Sequence, residues 1–274
     1  MTLLNKVTRA KRLAKIALRP QNIFCDTKHI FLFSHMRSRS SVLSHILGSN
    51  QEICGYRELH ISYRDRFALY EMRALLAEEL NCELEGKFLF DKALHNKHHF
   101  SDDVFAAASP KVIFLLRSAE STLRSIINMG ELTGDAGYKN PKMAVYYYCS
   151  RLEELTSYAK RLNGNYFYID SDSLVDEPEP LLQNLSTWLG LKQPLAKSYS
   201  TFDHTGKAGH GDPSVNIKSG VLKKTKGHPN VKIPQDLLKQ AEDAYHRCRS
   251  AITDDPLPVK ATQSFKPQLA ASVG

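Results

Sequence analysis

Ile30-Phe31-Leu32-Phe33-Ser34-His35-Met36-Arg37-Ser38-Arg39-Ser40-Ser41 decides the fold. A short run of branched and aromatic residues breaks at Ser34 into a polar stretch, and Leu43, Ile46 and Leu47 then recur at helical spacing. That order of patterns predicts a buried strand, a tight polar loop and an amphipathic helix.

The same alternation continues on the C-terminal side. Lys87–Asp91, Lys111–Leu116 and Asn165–Ile169 are short, apolar and rich in aromatic or β-branched residues, as buried strands are. Between and after them, Arg64–Leu80, Ala119–Met129, Lys142–Arg161, Glu179–Leu189 and Pro234–Arg249 carry helical periodicity. Strands alternating with helices predict an α/β fold with a central parallel sheet covered on both faces. The expected organisation is a basic arm over residues 1–27, one domain over 28–255 and a loose tail over 256–274, with no internal repeat. Tyr199–Lys232 holds Gly206, Gly209, Gly211, Gly220 and Gly227 among polar residues and reads as a long functional loop.

Bulk properties narrow the class. The 274 residues suffice for a substantial core, and 42% hydrophobic with 24% charged residues is ordinary for a globular chain. The net charge of +8 is concentrated at the start, where Lys6, Arg9, Lys11, Arg12, Lys15, Arg19 and Lys28 face only Asp26. With Leu4, Val7, Leu13 and Ile16 at roughly helical spacing, this arm suits either peripheral contact with an anionic membrane or packing on the domain. No stretch approaches the roughly 18 apolar residues of a membrane span, and no signal-peptide pattern follows the early charges, so a cytoplasmic protein is expected. Cys25, Cys54, Cys82, Cys149 and Cys248 are scattered without a CxxC pair, which suits reduced thiols rather than disulfides or a metal site.

A strand running into a helix creates an anion site from the helix's unpaired N–H groups and its dipole. Arg37–Ser41 stands at such a junction, where Arg37 adds a charged fork and Ser38, Ser40 and Ser41 add hydroxyls. A serine-rich helix cap with a solvated arginine is the alternative. Arg117 leaves the strand KVIFLL, and Ser125 sits two turns along the following helix, at the same end of the sheet. The pair is placed to grip a second phosphate.

These segments resemble the sulfotransferases that use 3′-phosphoadenosine 5′-phosphosulfate (PAPS). The family's strand–loop–helix for the 5′-phosphosulfate aligns with Met36-Arg37-Ser38-Arg39-Ser40-Ser41, with Met36 and Arg39 in place of its Pro and Gly, which implies either a less tight loop or an Arg39 that itself reaches the ligand. Arg117 and Ser125 reproduce its Arg and Ser eight residues apart, which bind the 3′-phosphate. Tyr168–Glu179, followed by Leu185, Trp188, Leu189 and Gly190, resembles a further conserved segment, and GHGDPSVNIKSG (209–220) resembles the loop that closes over the nucleotide. The resemblance implies a P-loop NTPase-like sulfotransferase fold and transfer of a sulfuryl group from PAPS, as co-substrate, to a hydroxyl or amine. It also implies that Lys207, His210 and Lys218 screen the nucleotide's phosphates; an exposed basic loop is the alternative.

Sulfuryl transfer needs cations for the leaving phosphate oxygen and a base for the acceptor. Arg37 and Lys92 are the candidate cations; Lys92 follows the strand KFLFD in a segment that resembles the family's Asp-Lys-x-Pro stretch. For the base, Glu58 in Gly55–His60 matches the pattern of relatives acting on sugars or peptides, and His95 loosely matches that of small-molecule enzymes, with His60 third. A structural partnership of Glu58 with Arg57 or Arg64 is the competing reading. The Glu58 pattern points to a carbohydrate or glycolipid acceptor. His98, His99 and His204 read as surface or loop histidines and Trp188 as core packing; no metal-binding spacing emerges, so no metal is expected. Two other readings stand beside this one. A P-loop kinase would carry GxxxxGK[ST], which the loop lacks, and a non-catalytic protein of this fold would bind nucleotide or polyanions without specific nucleic-acid recognition.

Overall fold

A computed structural model describes residues 26–80, 83–207, 215–224, 227–254 and 259–260. Six strands form one parallel sheet: β1 (Lys28–Ser34), β2 (Ile53–Cys54), β3 (Phe88–Ala93), β4 (Lys111–Leu116), β5 (Phe167–Asp170) and β6 (Val259–Lys260), in the order β2-β3-β1-β4-β5-β6. The helices are α1 (Ser40–Gly48), α2 (Phe67–Leu80), α3 (Asp102–Ala108), α4 (Ala119–Thr133), α5 (Ala136–Lys139), α6 (Pro141–Leu162), α7 (Ser173–Asp176), α8 (Pro178–Leu189) and α9 (Gln235–Thr253).

β1 lies at the centre, paired with β3 on one side and β4 on the other. Period-two alternation divides its side chains between two cores. Ile30 and Leu32 join Leu43, Leu47, Ile113 and Leu185 on one face, while Phe31 and Phe33 join Tyr63, Phe100, Phe114 and Tyr158 on the other. A strand buried on both faces reads as a continuous apolar run, which is why KHIFLFS is visible in the sequence.

The expected strand Lys87–Asp91 runs on to Ala93, so Lys92 lies inside β3 and not after it, and is buried at 2% exposure. Asn165–Ile169 moves to Phe167–Asp170, and Arg64–Leu80 begins only at Phe67 because Arg64–Arg66 form the entry turn. β2, α3 and α5 are too short to show periodicity and were not expected. Beyond the boundary at residue 255, Val259–Lys260 pair with Phe167–Tyr168 and add the sixth strand. The basic arm to residue 25, His210 with 208–214, and 261–274 lie outside the described residues, as do Cys25 and Cys82. Cys54, Cys149 and Cys248 are buried and form no disulfide among the described residues, and no described helix is long and apolar enough to cross a membrane.

Candidate active site at the carboxyl edge of the sheet

The chain leaves β1 and turns into α1 through two residues in the left-handed region, Arg37 at φ 61° and Arg39 at φ 69°. Non-glycine residues adopt this region only when their surroundings hold them there. Here the ties are specific. Met36 N–H donates to Tyr147 Oη (2.8 Å), the Ser34 and Ser38 hydroxyls are hydrogen-bonded (2.7 Å), and Ser171 Oγ donates to Ser38 O (2.8 Å). Arg39 Nη1 donates to Ser171 O (3.0 Å) and Asp172 Oδ1 (2.6 Å), fastening the loop to the end of β5. The extra arginine therefore acts as a strut between two loops, and the Ser38 hydroxyl is occupied inside the loop.

The loop after β4 meets this one from the side. Arg37 Nε donates to Ser125 Oγ (3.0 Å) on α4, and Arg117 Nη1 donates to Arg37 O (2.9 Å). Arg117, Arg37 and Ser125 thus converge, as their spacing in the sequence required. Arg117 Nε is buried and has no hydrogen-bond partner among the described residues. Burial, then the neighbouring Arg39, and then Arg37 against the opposing pull of Asp172, lower the Arg117 pKa to about 10. A buried guanidinium with an orphaned N–H beside other cations is a site that an anion would complete. His228 approaches from the loop before α9: its pKa is lowered by burial and then by Arg37 and Arg117. About one turn along α4 from Ser125, Ile127 and Asn128 help line a cavity of about 570 Å³ that also touches Gly227 and His228.

On the β3 side, Lys92 Nζ donates to Ser41 Oγ at the start of α1 (3.2 Å). Glu58 reaches the same edge because Gly55 lets the chain cross β3 closely: its φ is +121°, and a Cβ there would stand 2.4 Å from Phe90 O. Glu58 is 7% exposed, with Oε1 3.5 Å from Leu94 N, 3.8 Å from His98 Nε2 and 3.9 Å from His60 Nδ1. It pairs with neither arginine proposed for it. Arg57 is bound by Glu79, and Arg64 Nε reaches Ser62 Oγ. His98 is buried rather than superficial, and burial, with Lys97, His60 and Arg151 behind it, lowers its pKa to about 4. His95 is likewise lowered to about 4 by burial first and cations second, which leaves it a weak base.

Lys207 and Lys218 do not join these groups. Both are exposed, the stem of Lys218 lies against Gly206, and neither side chain hydrogen-bonds a described residue. Residues 202–205, just before Lys207, dock on the loop after β2 through a Tyr56–Phe202 stack (4.1 Å) and on α1 through a His45 Nε2 to Thr205 Oγ1 contact (2.9 Å). Trp188 packs between Phe167 and Lys111, a structural place.

Two residues essential to this geometry escaped sequence reading. His35 is fully buried, with Nδ1 2.9 Å from Met36 O and Nε2 accepting from Arg117 N (3.1 Å); burial lowers its pKa to about 3 and keeps it neutral. Arg151, also fully buried, donates to Ser34 O (2.8 Å), Ala93 O (2.7 Å) and Asn96 Oδ1 (3.0 Å), tying the ends of β1 and β3. The signal for Arg151 was present: it shares the apolar face of its helix with Tyr148, Leu155 and Tyr158.

No family model and no curated protein matches the sequence. Solved structures do match. The sulfotransferase domain from the curacin biosynthetic pathway is similar with a TM-score of 0.59 and 16% identity, over 82% of this chain and 98% of that one. The sulfotransferase domain from the Synechococcus PCC 7002 olefin synthase gives 0.53 and 16%, over 80% and 94%. A sulfotransferase from Mycobacterium tuberculosis H37Rv gives 0.50 and 11%, over 88% and 85%. The parallel sheet flanked by helices is therefore the fold of sulfotransferase domains.

Proposed function

We propose that this protein is a sulfotransferase that uses PAPS as donor and a hydroxyl as acceptor. The observation that carries the proposal is the convergence of Arg37, Ser125 and the incompletely bonded Arg117 at the carboxyl edge of a sulfotransferase-type sheet. The donor supplies an electrophilic sulfuryl group and leaves as a bisphosphate. Arg117 and Ser125 would hold its 3′-phosphate, and the Arg37–Ser41 loop with the α1 N-terminus its 5′ end. Lys92 and Arg37 carry positive charge to the side where negative charge develops on the leaving oxygen. Glu58 accepts the acceptor proton as the new S–O bond forms.

Strand-end acids are committed elsewhere. Asp170 accepts from Arg249 Nη2 (2.9 Å), and Asp91 accepts from Leu59 N (2.8 Å) and Tyr63 Oη (2.7 Å). Charge stabilisation in this reading rests on side-chain cations. The carbohydrate or glycolipid acceptor rests on Glu58 as base and on nothing else in the chain.

Calorimetric titration with 3′-phosphoadenosine 5′-phosphate tests the donor half. Wild type should bind in the micromolar range with or without Mg²⁺, and Arg117→Ala should bind about 100-fold more weakly, since a hydrogen-bonded charge contributes about 3 kcal/mol. No binding by wild type would sink the proposal.

A further inference from the structure

The acceptor side contains a polar atom that the transfer reaction leaves unused. His98 Nε2 is buried without a hydrogen-bond partner among the described residues, and it faces Glu58 Oε1 at 3.8 Å. His60 Nδ1 faces the same oxygen at 3.9 Å, and one potential ligand atom from each of the three residues lies within 4.8 Å of the other two. These separations are too long for hydrogen bonds. They are close to the ~3.4 Å between ligand atoms that each stand about 2.1 Å from one tetrahedral ion.

We infer that Glu58, His60 and His98 form a binding site for a divalent transition-metal ion of the Zn²⁺ class, with the fourth coordination position open. Two imidazoles and one carboxylate favour such an ion over Mg²⁺ or Ca²⁺, which prefer all-oxygen sets. Glu58 and His98 side chains are 9% exposed and His60 is 42% exposed, so the site has a buried wall and an entrance. His60 is held at φ 58°, and its ring centroid lies 5.6 Å from that of His98. Burial keeps His98 neutral, as ligation requires. The surrounding charges oppose one another: Lys97 and Arg151 act against a cation at His98, while Glu58 and buried Asp91 repel each other and a cation would relieve them.

The inference uses none of the donor contacts and shares only Glu58 with the proposed transfer reaction; a carboxylate that ligates an ion is not free to take the acceptor proton, so a bound ion would inhibit transfer, and the site is judged by metal binding alone. The test is calorimetry of Zn²⁺, with visible absorption of the Co²⁺ complex, on the untagged, metal-stripped full chain near neutral pH. One ion should bind per chain, with Co²⁺ giving the intense bands of a four-coordinate site. His60→Ala, His98→Gln and Glu58→Gln should each weaken binding by at least about tenfold, and His99→Ala, altering an exposed neighbour, should leave it unchanged. Absence of stoichiometric binding, or binding that survives both His60→Ala and His98→Gln, would overturn the inference. If His98→Gln loses its fold by circular dichroism, the exposed His60→Ala decides alone. Nucleotide titration of the same samples separates the cases: metal without nucleotide sinks only the donor reading, and nucleotide without metal sinks only this site.

Discussion

The two sides of the sheet edge are built on opposite electrostatic plans. On the side of the proposed donor site, cations are hydrogen-bonded to neutral acceptors: Arg37 to the Ser125 hydroxyl, Arg117 to a backbone carbonyl and Lys92 to the Ser41 hydroxyl. A hydrogen bond to a neutral acceptor fixes a cation without itself cancelling the charge. On the acceptor side, one buried carboxylate, Glu58, stands beside His98, kept neutral by burial. The difference teaches that one sheet edge can carry both kinds of group: cations tied to hydroxyl and carbonyl oxygens on one side, and a buried carboxylate among imidazoles on the other.

Two substitutions would break the comparison if the sides are not separable. Glu58→Gln should lower kcat by about 10²- to 10⁴-fold, the usual scale for a lost general base, and leave nucleotide affinity within about twofold. Steady-state kinetics paired with calorimetry reads both; nucleotide affinity falling in step with kcat would merge the two sides into one. Arg151→Met attacks what joins them. Arg151 bonds Ser34 O at the end of β1 and Ala93 O at the end of β3, and its loss strands both buried carbonyls. Urea unfolding should show a loss of about 3 kcal/mol, and near-wild-type stability would mean the two strand ends need no common tie.

The donor side was largely legible in the sequence and the acceptor side was not. Arg37, Ser125 and Arg117 are positioned by a strand end, a helix start and an eight-residue spacing, all of which periodicity exposes. Glu58, His60 and His98 come from loops, and the approach of His98 to Glu58 across forty residues of chain depends on a glycine crossing that no pattern announces. His98 reads as superficial because it stands in the polar run Asn96-Lys97-His98-His99, yet only His98 of that run is buried. Where Lys207 and Lys218 stand is a matter of packing that no pattern shows: both are exposed, and stacking of Phe202 on Tyr56 ties the chain just before Lys207 to the loop after β2.

A third experiment sharpens the role of neutral histidines on the donor side. His35 has a folded pKa of about 3 against 6.5 when unfolded, so the unfolded chain binds the proton first. The stability that its neutral form supports is present above pH 6.5 and lost as pH falls toward 3. By pH 5 the loss from this group is about 2 kcal/mol. Asp91, raised to about 7 chiefly by burial, has the opposite sign: its stability is lost as pH rises from about 4 to 7, so between pH 7 and pH 5 it regains about 2 kcal/mol and roughly cancels the His35 loss. His35→Gln should therefore show a gain between pH 7 and pH 5 in urea midpoints. An unchanged acid limb would deny His35 its part.

The smallest expected effect concerns Arg39, where backbone and side chain can be separated. At φ 69° an L-residue costs roughly 1–2 kcal/mol that glycine does not. Against this, the guanidinium holds Asp172 and Ser171, and the carboxylate of Asp172 is 58% exposed, so the ion pair itself contributes under about 1 kcal/mol. Arg39→Ala loses the tether and keeps the strain, whereas Arg39→Gly loses the tether and relieves it. Glycine should therefore be the more stable variant by about 1 kcal/mol, close to wild type, with nucleotide affinity preserved because the left-handed turn is retained. If the two variants are equally stable, the turn is not strained. If both lose nucleotide binding together while remaining folded, Arg39 is not merely a strut: its charge belongs with Arg37 and Arg117, whose field it already perturbs.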